Sequence, residues 1–90
     1  MTRLIEPPRA EPQEIFCTLD ARGWEPPEPM VRVMEALGTM PRGGKIVALL
    51  DREPRPLLRA LKIQGFRYRS IPAREGHFEV VIWRADDASA

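Results

Sequence analysis

The chain reads as a two-layer α/β sandwich: a four-stranded mixed sheet with two helices on one face, in the order β-α-β-α-β-β. Three observations predict it. Segments with strand-like apolar patterning alternate with two segments of helical period. Prolines precede each helical segment, where a first turn tolerates them, and a glycine follows each. Two strand-like runs at the end are separated by a glycine-bearing turn, the pattern of a hairpin. Because β-α-β crossovers are right-handed, both helices fall on the same side of the sheet.

The first thirteen residues contain Pro7, Pro8 and Pro12 with little apolar content, and read as a flexible or extended arm. A strand is expected over about Glu14–Leu19, where Ile15, Cys17 and Leu19 alternate with Phe16, Thr18 and Asp20. Asp20–Pro29 is a connection whose prolines forbid a helix interior but suit its first turn. The helix is expected over about Glu28–Leu37. Met30, Val33, Met34 and Leu37 form its core-facing stripe, and Gly38 is its expected stop. Pro41–Gly44 is a turn, and Lys45–Leu50 is apolar enough for a central strand buried on both faces. Asp51–Pro56 is the second proline-bearing connection. The helix after it, about Arg55–Gln64, turns Leu57, Leu58 and Leu61 inward and closes at Gly65. Phe66–Ile71 and His77–Arg84 flank a turn at Arg74-Glu75-Gly76. The domain therefore spans 14–84, followed by a polar tail at 85–90.

Composition narrows the role. A chain of 90 residues, 43% hydrophobic and 30% charged, has ordinary globular proportions and room for one core layer. A net charge of +1 lacks the basic excess of a nucleic-acid binder. Arg67, Arg69, Arg74 and Arg84 gather positive charge late in the chain, which reads as solvated strand edges or as a patch for an anion or acidic partner. The single Cys17 excludes an internal disulfide and fits a reducing compartment. No apolar run approaches a membrane span and no secretory leader is apparent, so a cytoplasmic location is expected.

No catalytic set is legible. Nucleophilic catalysis needs a nucleophile, a base and an orienting group, whereas this chain has one histidine, His77, and one cysteine, Cys17, on different strands. Metal-ligand spacings and phosphate-binding glycine loops are absent from the sequence. Trp83 reads as a packing residue; Trp24, beside a charged turn, reads as packing or as a stacking platform. No enzyme activity, cofactor or metal is expected.

The segment Leu19-Asp20-Ala21-Arg22-Gly23-Trp24-Glu25-Pro26-Pro27-Glu28-Pro29 carries the most information. It resembles the TusA/SirA-like sulfur-carrier signature, Leu-Asp-x-Arg-Gly-x-x-Cys-Pro-x-Pro, through Leu19, Asp20, Arg22, Gly23, Pro27 and Pro29. The resemblance spans about residues 14–84 and implies that family's β-α-β-α-β-β fold. It is closer to an uncharacterised sister family with a Glu-Pro-Pro-Glu-Pro loop, here Glu25–Pro29, and a second signature Asp-x-x-Pro-x-Pro-Leu, here Asp51, Pro54, Pro56 and Leu57. Members of that group often carry a histidine where this chain has Arg52, so a metal-binding accessory role is the weakest reading. The carriers hold a persulfide-bearing cysteine at the position of Pro26, where a helix N-terminus stabilises a thiolate. Pro26 has neither sulfur nor N–H, and Cys17 lies upstream inside the first strand, so sulfur relay by that mechanism is not expected.

Both proline-bearing connections follow parallel strands and open on one edge of the sheet, where ligands of α/β sheets bind. They bring Asp20, Arg22, Trp24, Glu25 and Glu28 towards Asp51, Arg52 and Arg55 as candidate ligand- or partner-binding residues. The same charges also read as a solvated cluster that caps two helices. The expected role is a non-catalytic binding or adaptor module for a protein partner or small ligand, with neither nucleic acid nor membrane as partner. The alternative is a degenerate component of a sulfur-transfer or redox relay that docks on that machinery without carrying sulfur. Apolar residues on both parities of the strands predict a second apolar sheet face, covered by the arm or by a second subunit, so that the protein is a monomer or a homodimer.

Overall fold

A computed structural model describes residues 11–86. Its elements are β1 (Glu14–Asp20), α1 (Glu28–Thr39), β2 (Gly44–Leu50), α2 (Arg55–Ile63), β3 (Phe66–Pro72) and β4 (Phe78–Arg84). The strand order is β1-β2-β4-β3, with β1 parallel to β2, and with β4 inserted antiparallel to both β2 and β3. The expected α/β sandwich is present. Residues 1–10 of the expected arm and 87–90 of the expected tail lie outside the described residues.

The helix stripes drive the layer packing. Val33 and Leu37 of α1, with Leu57, Leu58 and Leu61 of α2, are buried against Ile46, Ala48, Leu50, Val80 and Ile82 of the sheet. Burying one such aliphatic side chain is worth ~1.5–3 kcal/mol, so this layer supplies most of the driving force. The other sheet face carries a smaller apolar group, Val47, Val81 and Trp83, with Leu49 against it. Central strand β2 thus contributes buried residues to both faces, as its continuous apolar run predicts.

Two expectations are corrected. Helix α1 does not stop at Gly38; it continues to Thr39 and is capped by Met40. The Thr39 hydroxyl donates to the Ala36 carbonyl at 3.1 Å, and Met40 is buried in the core, so packing beyond the glycine outweighs its preference for ending a helix. In β1, Ile15 does not share a face with Cys17 and Leu19. A bulge places Ile15 opposite Lys45 and Cys17 opposite Ile46, so the strict alternation fails at Phe16. Ile15 and Phe16 are both exposed. At the end of α2, Gly65 takes a positive φ of 90°, which closes the helix as expected.

Candidate functional site: a proline-lined cleft between two loops

Because β1 and β2 are parallel, the connections after them leave the sheet on the same edge. The Ala21 N–H donates to the Leu49 carbonyl at 2.9 Å, which carries the pairing one residue past β1. The chain then turns: the Trp24 N–H donates to the Ala21 carbonyl at 3.1 Å across Gly23, whose φ is +86°. A turn with positive φ at its third position strains any residue with a Cβ, which is why glycine stands there. The turned Gly23 N–H donates to Asp51 Oδ2 at 2.7 Å. This single bond spans 28 positions of sequence and ties the first loop to the second.

Between the tied loops lies a cleft of about 630 Å³. Trp24 and Met30 line it from the first loop with Pro26, Pro27 and Pro29, the Pro26–Pro27 peptide bond being cis. Leu50, Pro54, Pro56 and Leu57 line it from the second, and Glu25, Asp51, Arg52 and Glu53 supply its charged groups. Leu50 and Leu57 also belong to the buried core, so the cleft floor is continuous with the helix layer.

Helix N-termini usually offer anions a set of free N–H groups. Here that capacity is largely removed. Pro29 and Pro56 sit in the first turns of α1 and α2, and each helix is preceded by a proline with no side-chain cap. The neighbouring amides are engaged: Glu28 N–H with the Glu25 carbonyl at 2.9 Å, Val31 with Pro27 at 3.1 Å, Arg55 with Glu53 at 3.0 Å and Leu58 with Pro54 at 2.9 Å. The edge is therefore an apolar recess with charges beside it, rather than an anion cradle.

The eight sequence-predicted site residues divide. Trp24, Glu25, Asp51 and Arg52 line the cleft; Asp20, Arg22, Glu28 and Arg55 do not. Arg22 grips Asp20 within its own loop through Nε at 2.8 Å and Nη2 at 2.7 Å. That guanidinium holds the Asp20 carboxyl down at about 2. Glu28 pairs with Arg32 one helical turn on, at 3.5 Å, and Arg55 with Glu53 at 3.6 Å. The ion pairs of the two loops are thus local, and the tie between the loops is a carboxylate on a backbone N–H. Sequence reasoning passed over the prolines as lining. The sequence places the site at the proline-bearing loop edge but names no proline among the candidate residues; the signal was their presence in both signatures.

Groups elsewhere fit packing roles. Cys17 lies partly buried on the helix face of β1, and burial pushes its thiol pKa up, away from the reactive thiolate. His77 faces Glu75 in the hairpin turn at 3.7 Å. Of the late arginines, Arg84 donates to the Met40 carbonyl at 2.7 Å and Arg69 grips Glu11 at 2.8 and 2.9 Å. Among the described residues, no group of three or more His, Cys, Asp or Glu side chains could hold a metal, and no helix is long and apolar enough to cross a membrane.

Comparison with known proteins agrees with this fold. Residues 18–84 match the family described as uncharacterized conserved protein DUF2249. Among solved structures, the chain is similar to a SirA-like protein from Desulfitobacterium hafniense, with 26% identity and a TM-score of 0.68 over 73% of this chain and 93% of that one. No functionally curated protein matches.

Proposed function

The chain belongs to the DUF2249 family of uncharacterized conserved proteins, and from that membership and its loop-edge cleft we propose a non-catalytic binding module. We take the family to be the sister group suggested by Glu25–Pro29 and by Asp51, Pro54, Pro56 and Leu57. The observation that carries the reading is the cleft lining: five prolines, Trp24, Met30 and two leucines around about 630 Å³. Prolines and a tryptophan are stiff, so they present apolar surface with little entropy left to lose on binding. Three carboxylates (Glu25, Asp51 and Glu53) stand with one guanidinium (Arg52) at this recess. The chemistry suits an apolar or aromatic anchor on a partner segment whose flanks are basic.

The test is an NMR titration of 15N-labelled protein with a short peptide carrying phenylalanine between arginines. Saturable shifts are expected at the Trp24 indole, Gly23 and residues 51–57, and a peptide with glutamate flanks should bind more weakly. Shifts confined to another surface, or no saturation with either peptide, would overturn the reading.

The likeness to a SirA-like protein favours a second reading, a degenerate relay component that docks on sulfur-handling machinery. Pro26 offers no sulfur, and the raised Cys17 pKa disfavours persulfide formation. Incubation with a cysteine desulfurase and its substrate is expected to leave the intact mass unchanged. A stoichiometric gain of one sulfur, lost in Cys17→Ser, would show that the chain carries sulfur after all.

A further inference from the structure

The two free edges of the sheet differ. Strand β1, at one, is interrupted by the bulge at Phe16, a device that spoils an edge for further pairing. Strand β3, at the other, pairs with β4 in unbroken register and has no strand on its outer side among the described residues. Just beyond its ends, the Ala85 N–H donates to the Gly65 carbonyl and the Ala73 N–H to the His77 carbonyl, each at 2.8 Å. Antiparallel pairs alternate between bonded and non-bonded. Arg67, Arg69 and Ile71 therefore share the bonded parity of Gly65 and Ala73, and the N–H and C=O groups of Phe66, Tyr68 and Ser70 point outward. Pro72 has the outward parity but no N–H, so it closes the row.

A groove of about 510 Å³ follows this edge. Phe66, Tyr68 and Lys62 line it from the helix side, and Arg67, Arg69 and Trp83 from the other, so it wraps the one border of β3 where the two sheet faces meet. Its free charge has one sign. The Lys62 ammonium stands 6.0 Å from the Tyr68 ring centroid, and neither Lys62 nor the exposed Arg67 pairs with a carboxylate among the described residues. Glu11, the acidic member of the lining, is already engaged, by Arg69 at 2.8 and 2.9 Å and by Lys45 at 2.7 Å.

We propose that the β3 edge takes an extended acidic segment of a partner protein as a further strand, at a surface that shares no lining residue with the proline-lined cleft. Backbone bonds to Phe66, Tyr68 and Ser70 give the affinity. Because side chains alternate along a strand, carboxylates on one parity of the guest meet Arg67, and apolar groups on the other meet Phe66 and Tyr68. A second copy of this chain suits the edge poorly: β3 laid antiparallel on β3 sets Arg67 and Arg69 of one copy beside those of the other.

The test is titration of 15N-labelled full-length protein with short peptides of alternating glutamate and valine, of alternating lysine and valine, and of the glutamate series with its inner valines replaced by proline, which removes N–H groups that a ladder needs. The glutamate–valine peptide is expected to shift the Phe66, Tyr68 and Ser70 amides saturably and slow their hydrogen exchange, leaving the Trp24 indole unmoved. Arg67→Glu, a change at an exposed position, should weaken that binding at least ~10-fold by placing like charges together. Four results would overturn the proposal: no saturable shift, shifted amides that gain no protection, equal binding of the lysine or the proline peptide, or protection in the free protein that rises with its concentration, which assigns the edge to a second copy.

Discussion

The loop edge and the sheet face opposite the helices are each held by one carboxylate that reaches far along the sequence, yet the two carboxylates work differently. Asp51 is exposed and takes a single neutral N–H, that of Gly23. Glu11 is largely shielded, takes two cations, and is held at about 2 by the Arg69 hydrogen bonds first and Lys45 second, against the cost of burial. A tie to a backbone N–H fixes where a loop sits and hardly depends on salt. A tie between charges depends on pH and on ionic strength. Asp20 marks the contrast from the other side: it ends β1 much as Asp51 follows β2, but Arg22 two residues on captures it, so it makes no tie to the second loop.

The largest expected effect comes from the floor of the cleft. Leu57 belongs to both the recess and the core, so Leu57→Ala should cost ~2–5 kcal/mol by chemical denaturation, as buried leucine truncations do. A loss below ~1 kcal/mol would mean that the floor can collapse and that cleft and core are separable.

Next is Glu11→Gln, expected to cost about 1–2 kcal/mol near neutral pH, because the amide has no charge and only one acceptor oxygen for three donors that now share two. The pH dependence has a definite sign. The folded pKa, about 2, lies below the ordinary 4.5, so the unfolded chain binds more protons between those values. The Glu11 contribution is complete above 4.5 and is lost as pH falls towards 2. Glu79 near Arg69 does not change this direction. Acid unfolding of wild type and variant should converge in that window; parallel curves would show that the clasp contributes nothing.

A smaller effect is expected for Asp51→Ala, about 0.5–1 kcal/mol, with Gly23 amide exchange quickening while core amides stay protected. Asp51→Asn keeps an acceptor oxygen and should lie between the two. Asp20→Ala should change least, since it releases only an exposed pair within one loop. If Asp20→Ala proved more damaging than Asp51→Ala, the division into a local pair and a loop-to-loop tie would be wrong.

The fold was legible because each element obeyed a local rule. The Met30–Leu37 stripe, the run Lys45–Leu50 and the Arg74–Gly76 turn each report their own backbone. The two corrections, past Gly38 and at Phe16, fall where tertiary contact overrode local preference: Met40 finds the core, and Gly44 lets the Phe16 Cβ approach to 3.4 Å of where its own would stand. The site was half legible. Charge singled out Glu25, Asp51 and Arg52, and the neighbouring charged turn Trp24, together with four residues that pair locally. The five prolines lining the recess were visible in sequence, but lining is a property of two loops brought together, which no single segment displays.

Calorimetric titration of the arginine-flanked phenylalanine peptide into wild type and Trp24→Ala, both verified as folded by circular dichroism, tests the central claim most directly. Removal of a stiff aromatic wall is expected to weaken binding at least ~10-fold, as truncated interface anchors do, with unfolding midpoints close together. Equal affinity of the two folded proteins would contradict the claim that the proline-lined cleft is the binding site.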